Sequence, residues 1–174
     1  MFRQVIWRGA VIGAVAAIFV TIVLIVCGAI ELNSPLAPVN CVSHILWGDV
    51  AFDRTEFSLK YTVAGLILNA AAIVMWGVLF EGFLYLTSMR LARAGANAAA
   101  VIITVAAFVV DYYIVPARLT PGFEARLSAT ALFVVYVSLA LGLMIGDRIV
   151  RLMVRAAAAP RRGGAQPTGH TARQ

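Results

Sequence analysis

The sequence predicts an all-α protein, a four-span transmembrane helical bundle with a short amphipathic surface helix in its first outer loop. Composition is the first observation, because 62% of the 174 residues are hydrophobic and only 13% are charged. That balance excludes an ordinary water-soluble domain. Long uncharged runs are the second observation. The third is the lack of alternating apolar and polar residues, which excludes spanning strands and leaves helices.

Four apolar runs are long enough, or nearly so, to cross about 30 Å of hydrocarbon at about 1.5 Å per residue. We expect the spans at about residues 9–30, 61–86, 96–114 and 127–145. They make up a transmembrane four-helix domain over residues 1–155. Residues 156–174 hold two prolines and three glycines without an apolar period, so this segment is expected to be a disordered cytoplasmic tail.

The basic residues predict the orientation, because arginine and lysine accumulate in short cytoplasmic segments. Ten lie on one side of the predicted spans: Arg3, Arg8, Arg90, Arg93, Arg148, Arg151, Arg155, Arg161, Arg162 and Arg173. Four lie on the other: Arg54, Lys60, Arg118 and Arg126. Both termini are therefore expected in the cytoplasm. Since the net charge of +6 comes from arginines at span ends, it indicates membrane orientation and not a nucleic-acid partner.

The first outer loop contains the predicted surface helix. Apolar residues recur there at spacings of three and four, at Val39, Val42, Leu46 and Val50. Three polar residues fall on its other side: Asn40, Ser43 and His44. This pattern is typical of an amphipathic helix, which we expect to lie on the outer membrane face with Trp47 at headgroup depth.

Polar residues inside spans are costly, so Asn69, Glu81 and Asp111 are candidates for function. Their depths place Glu81 near the inner surface and Asp111 near the outer one, so the two carboxylates cannot pair. Glu81 is expected to reach the inner interface and to be neutralised by one of three arginines there, Arg90, Arg93 or Arg148.

Asp111 has two interpretations. It precedes Arg118 and Arg126, and a structural ion pair with one of them is the favoured hypothesis. A solute or proton site shared with Asn69 is the alternative, although a lone asparagine in a span more often bonds helices together.

Small residues at a spacing of four predict close helix packing. They occur in the first and fourth spans, at Gly9, Gly13 and Ala17 and at Ser138, Gly142 and Gly146. Self-association and docking on a larger partner are equally compatible with this pattern.

The two cysteines leave three possibilities open. Cys41 and His44 stand three residues apart and Cys27 lies near the outer end of the first span, so the three could hold zinc or copper. A Cys27–Cys41 disulfide is the second possibility. Two unpaired thiols and a solvated histidine are the favoured interpretation, and we expect neither a metal nor a cofactor.

Two further observations weigh against catalysis. His44 and His170 both lie outside the spans, which excludes a haem bound by two histidines in the membrane. Nucleotide-binding, metalloprotease and nucleophile-elbow motifs are also missing from the sequence. No catalytic residue is assigned, and an enzyme is the less favoured class.

Two segments, APVNCVSHILWGD at 37–49 and DYYIVPARLTPGFE at 111–124, resemble segments of small bacterial four-helix inner-membrane proteins. The resemblance implies a bacterial plasma-membrane location and the four-helix layout, without an activity. Both segments fall on the outer side of the predicted topology, which makes that face the expected location of any binding site. Its candidate members, together with Asn69, are His44, Asp49, Asp111, Arg118 and Glu124.

The sequence favours an accessory or interaction protein embedded in the lipid bilayer. A homo-oligomer or a larger membrane complex is a possible assembly. A small oligomeric transporter or channel component using Asn69 and Asp111 is the alternative, since few polar residues line the spans. A metal or thiol redox protein using Cys27, Cys41 and His44 is the third hypothesis.

Overall fold

The computed structural model describes residues 2–87, 89 and 93–158. Within these residues the chain is mainly helical and contains no strand. Its long helices are α1 (Phe2–Leu32), α4 (Ala64–Leu86), α5 (Arg93–Val109) and α6 (Ala129–Ala158). Two short helices, α2 (Ala37–Val42) and α3 (His44–Trp47), lie between α1 and α4. A π-helical turn at Leu59–Val63 precedes α4, and another at Val110–Ile114 extends α5.

Within the described residues, four helical stretches are long and apolar enough to cross a membrane, as predicted. They are Phe2–Leu32, Leu59–Leu86, Ala94–Ile114 and Ala129–Ala158. The first stretch begins before its predicted start, and the last ends after its predicted end. Arginine favours helix, so turns that contain arginine continue each apolar run. As α6 ends at Ala158, the first three residues of the predicted tail are helical, and residues 159–174 lie outside the described part of the chain.

The four long helices form a ring in which neighbours run antiparallel. α1 packs closely against α4 on one side and α6 on the other, while α5 completes the ring with looser contacts to α4 and α6. We call the end with residues 33–58 and 115–128 the cap end. The opposite end, where α1 begins and α6 finishes, is the basic end.

Glycines bring the backbones of α4 and α6 into close contact with the backbone of α1, as the small-residue pattern predicts. A Cβ atom at Gly13 would lie 2.5 Å from the Val74 Cα of α4, and one at Gly142 would lie 2.6 Å from the Ala16 Cα of α1. Further along these seams, a Cβ at Gly9 would lie 2.5 Å from Val78 Cα and one at Gly146 would lie 2.9 Å from Ile12 Cα. The small residues of the sequence pattern thus lie in both interfaces of α1, although the pattern did not indicate which helices meet there.

Large apolar side chains fill the space between the seams. Ile12 and Leu24 of α1, Phe80 and Leu84 of α4 and Leu143 of α6 are fully buried. Many other apolar side chains of the long helices are exposed on the outside of the ring, including Ile18, Ile67, Val105 and Phe133. The bundle is apolar inside and outside, which suits a helical protein surrounded by lipid.

The helix predicted in the first loop is interrupted, and the expected exposure of its polar side is wrong. The helix breaks at Ser43 into α2 and α3, and its polar residues Asn40, Ser43 and His44 are buried. Val39 and Val42 of the predicted apolar side are buried as well, whereas Leu46, Val50 and the neighbouring Trp47 are 42–49% exposed.

The burial of the polar side has a steric cause. α2 is inserted between the cap ends of α1 and α4, where glycines leave room for it. A Cβ at Gly28 would lie 2.6 Å from Pro38 Cδ, and one at Gly65 would overlap the Val39 carbonyl oxygen. Every residue of α2 is consequently buried, polar ones included.

Candidate functional site

Asn40 is the centre of a buried hydrogen-bond network at the cap end. Its Nδ2 donates to the carbonyl oxygens of Arg54 and Glu56, both at 2.9 Å, and its Oδ1 accepts from Thr62 Oγ1 at 2.7 Å. Ser34 Oγ also donates to the Thr55 carbonyl. A polar residue can be buried here because each of its groups has a partner. These bonds hold the loop between α3 and α4 against α2.

Replacing Asn40 with alanine tests this network. The variant leaves two partly buried carbonyls and the buried Thr62 hydroxyl without their partner, so we expect the free energy of unfolding to fall by about 1–3 kcal/mol. Asn69→Ala is the control, since no hydrogen bond joins the Asn69 side chain to another described residue. Unfolding titrations in mixed micelles measure both variants. Equal losses would contradict a structural role for the Asn40 network.

Cys41 and His44 attach α2 and α3 to the second loop of the cap. Cys41 Sγ donates to the Gly122 carbonyl at 3.0 Å, and His44 Nδ1 lies 3.0 Å from the Cys41 carbonyl oxygen. The imidazole stacks on Phe52 with ring centroids 4.8 Å apart. Gly122 has a φ of +76° and lies so close to the imidazole that a side chain there would meet it at 3.0 Å. His44, a predicted site residue, is thus a packing residue of the cap.

Cys27 and Cys41 are both free thiols, so the hypothesis of a disulfide between them is wrong for this structure. Burial raises the pKa of Cys41 to about 12. A metal ion binds the thiolate, which this environment disfavours. Among the described residues no group of three or more His, Cys, Asp and Glu side chains is arranged to hold a metal.

The raised pKa predicts that Cys41 reacts slowly. With a pKa near 12 instead of 9, the thiolate fraction at pH 8 falls about a thousandfold, and alkylation proceeds through the thiolate. In a Cys27→Ala chain, iodoacetamide should therefore leave Cys41 unmodified until the protein is unfolded. Mass spectrometry with and without denaturing detergent measures the difference. Rapid alkylation of the folded chain would contradict the buried position.

Asp111 is bound by a tyrosine and not by an arginine. Tyr136 of α6 donates its hydroxyl to Asp111 Oδ2 at 2.7 Å, and the Tyr112 ring lies 6.1 Å from the Tyr136 ring. The predicted ion pair with Arg118 or Arg126 is wrong, because the described residues form no such pair. The bond joins the π-helical turn after α5 to α6, which is a structural connection at the cap end.

The remaining predicted site residues are dispersed. Asp49 and Arg118 are exposed in separate turns, and Asn69 is half-buried on α4. Glu124 is exposed and accepts a hydrogen bond from Thr120 at 3.0 Å. The six residues proposed from the sequence therefore do not form a single pocket.

The sequence reading missed a hydrogen bond between the first and fourth spans. Glu31 at the end of α1 accepts hydrogen bonds from the Ser128 backbone N–H at 2.8 Å and from its hydroxyl at 2.5 Å. Because Ser128 precedes α6, this carboxylate caps the N-terminus of that helix. An acidic residue in the outer loop gave no sign of its distant partner.

At the basic end, Glu81 is buried in an ion pair with Arg8 of α1. The Arg8 Nε lies 2.9 Å from Glu81 Oε1, and the glutamate side chain is 0% exposed. The expectation that Glu81 extends to the interface is wrong, and its predicted neutralisation by Arg90 or Arg93 concerns side chains outside the described part of the chain. The glycine seam explains the pairing, because Gly9 contacts Val78 and the antiparallel register then carries Arg8 towards Glu81.

A second ion pair lies nearby in α6 and borders a polar cleft. Arg151 Nε contacts the buried Asp147 Oδ2 at 2.7 Å, one helical turn away. Arg148 and Arg155 line the same cleft of about 500 Å³, which Ala96 and Asn97 of α5 close on its other side. Three arginines and one aspartate give its walls a net charge of +2.

An apolar groove of about 600 Å³ continues along the same seam between α5 and α6 towards the cap end. α5 contributes Val101, Val105 and Phe108 to its walls, and α6 contributes a row of side chains from Leu132 to Met144. The groove exists because α5 packs loosely against α6.

The geometry thus offers a surface for binding, because a basic cleft and an apolar groove lie on one helix seam. Glu81 and Asp111, by contrast, are engaged in bonds between helices. No protein-family model, no curated protein and no solved structure matches this chain.

Proposed function

We propose that this chain is a multi-pass protein of a bacterial plasma membrane and acts as an accessory or interaction protein. Four helices of sufficient length and apolarity support the membrane location. The resemblance of segments 37–49 and 111–124 to bacterial inner-membrane proteins supports a bacterial origin of the chain. The excess of arginine at the basic end supports a cytoplasmic position for both termini.

The contacts of the short helix α3 support a position of the cap at the membrane surface. Lys60 Nζ lies 4.3 Å from the centroid of the half-exposed Trp47 ring, a cation–π contact. Lys60 stands where the second spanning helix begins, so Trp47 lies at the level at which the chain enters the membrane. We propose that α3 lies in the headgroup layer, where tryptophan and lysine are favoured.

Labelling of exposed positions tests the orientation. In a Cys27→Ala chain, Asp49→Cys should react with a membrane-impermeant maleimide applied from outside, and Arg3→Cys should react only after lysis. Both positions are exposed, so access to the reagent is the only difference between them. The reverse pattern would contradict the proposed orientation.

The observation that carries the interaction role is that two carboxylates of the predicted spans, Glu81 and Asp111, are used in bonds between helices. Arg8 binds Glu81, Tyr136 binds Asp111, and apolar side chains fill the space between them. The transport hypothesis needs Asp111 and Asn69 to share a site, whereas the hydrogen-bond partner of Asp111 is Tyr136. An interior engaged in this way favours binding at the outer surface of the bundle over conduction through it.

Purification of the tagged full chain from membranes of its native host tests the interaction role. We expect one other membrane protein to be recovered in constant proportion and to survive a wash at high salt. Another tagged four-helix membrane protein, expressed at the same level in that host, controls for non-specific recovery. Recovery of this chain alone would contradict the accessory role.

A further inference from the structure

We propose that the seam between α5 and α6 is a binding site for an anionic phospholipid, with its phosphate in the basic cleft and an acyl chain in the apolar groove. The inference rests on the proposed membrane location and goes beyond the accessory role. Its starting observation is that the two cavities lie end to end along the same pair of helices.

The residues of α6 show that the two cavities are continuous. Ala140 and Met144 line the groove, Arg148 begins the cleft one turn later, and Arg151 and Arg155 follow at the same helical spacing. Residues three and four apart lie on one face of a helix. On α5, Asn97 of the cleft and Val101 of the groove are likewise four residues apart. One stripe therefore changes from apolar to basic where the helix leaves the membrane.

Charge determines which lipid fits the cleft. Its net charge of +2 favours a headgroup with uncompensated negative charge, and basic pockets between helices on the cytoplasmic side bind such headgroups. Arg148 and Arg155 are exposed, so they can approach a phosphate, while the Asp147 contact fixes Arg151 in the wall. Arginine can bind phosphate through two parallel hydrogen bonds.

Length determines how the acyl chain fits. Half of the hydrocarbon thickness is about 15 Å, which corresponds to about ten residues of helix. Counted from Arg148 towards the cap end, that distance reaches Val137, a residue of the groove wall. An acyl chain of the cytoplasmic leaflet can therefore lie in the groove while its phosphate is at the arginines.

Lipid titration of the full-length protein followed by native mass spectrometry tests the site, with phosphatidylglycerol and phosphatidylcholine as the probes. We expect clear preference for phosphatidylglycerol. One arginine near an anionic headgroup contributes a factor of about five in affinity, so Arg148→Gln with Arg155→Gln should weaken phosphatidylglycerol binding about 25-fold. The matched control, Arg3→Gln with Arg118→Gln, removes the same charge outside the seam and should keep the wild-type affinity. Equal loss in both would overturn the assigned cleft.

The groove needs its own variant. Ala140→Trp fills the groove and should weaken binding of both lipids, while Ile22→Trp, on the exposed face of α1, should not. Ala140→Phe replaces the tryptophan variant if its melting temperature shows that it does not fold. Full lipid affinity with a filled groove would overturn the acyl-chain assignment. Displacement of the lipid by millimolar inorganic phosphate would assign the cleft to a free anion and also overturn the proposal.

The lipid site and the accessory role fail in different ways. A chain that is recovered with a partner protein but shows no lipid preference overturns the lipid site alone. A chain with lipid preference that is always recovered alone overturns the accessory role alone.

Discussion

Glu81→Gln is expected to lower the free energy of unfolding by about 3 kcal/mol. The substitution removes the charge that compensates Arg8, and breaking one side of a buried ion pair typically costs about 3–5 kcal/mol. We place the loss at the low end because the Arg8 side chain keeps 16% exposure to its surroundings. Unfolding titrations in mixed micelles, followed by far-ultraviolet circular dichroism, measure the change.

Two controls separate the ion pair from a general effect of charge. Glu124→Gln removes a carboxylate that is exposed at the cap end, so its cost should stay within about 0.5 kcal/mol. The double substitution Arg8→Leu with Glu81→Leu should restore most of the lost stability, because an apolar pair can replace a buried ion pair at little cost. A loss for Glu81→Gln as small as that for Glu124→Gln would contradict the buried pair.

Gly77→Ala is the second large effect, with an expected loss of about 3 kcal/mol. The new Cβ would lie 2.5 Å from both the Cα and N of Gly13 and from the Gly9 carbonyl oxygen. These are backbone atoms, which cannot turn aside as a flexible side chain can. The α1–α4 seam must open, and overpacking of this kind typically costs about 1–3 kcal/mol or more. The same unfolding titration measures the loss.

Gly82 is the matched control on the same helix. No atom lies within 4 Å of a Cβ placed at Gly82, so Gly82→Ala meets no obstacle. Alanine favours helix over glycine by about 1 kcal/mol, and this variant should be neutral or more stable than the wild type. Tolerance of alanine at Gly77 equal to that at Gly82 would contradict the close approach of α1 and α4.

The four long apolar helices could be predicted from the sequence because their signal is local. A run of apolar residues identifies a helix by itself, and Gly9, Gly13, Gly142 and Gly146 repeat at a spacing that predicts close packing. Gly77 was missed because neither Ile73 nor Glu81, one turn before and after it, is small. A glycine that packs against small residues of another helix need not belong to a repeat of small residues in its own helix.

The carboxylates show what sequence position cannot supply. Counting residues along the predicted spans places Glu81 and Asp111 at opposite ends of the bundle, as in the structure, but the order of the chain suggested Arg118 or Arg126 as the partner of Asp111. In the folded chain Asp111 accepts a hydrogen bond from Tyr136, while Glu81 is paired with Arg8 across the α1–α4 seam. The partner of a charge depends on the register between helices, which single-helix periodicity does not contain.

The polar side of the first outer loop was predicted to be exposed for a related reason. Val39, Val42 and Leu46 make an apolar stripe, and such a stripe is expected to face the membrane. Asn40 instead faces inward because the carbonyls of Arg54 and Glu56, fourteen and sixteen residues later, accept its hydrogen bonds. Burial of a polar residue depends on those distant partners. In the candidate site on the outer face, His44, Asp111 and Glu124 make structural contacts, whereas Asp49 and Arg118 are exposed in separate turns.

Proton flux through proteoliposomes is the most direct test of the central claim that this bundle acts by binding and not by conduction. The purified full-length chain is reconstituted, a pH gradient is imposed, and its decay is followed with an enclosed pH-sensitive dye. We predict that the gradient decays at the rate of protein-free liposomes, for the wild type and for Asp111→Asn alike. Faster decay in the wild type that Asp111→Asn abolishes would contradict the claim and assign the chain to transport.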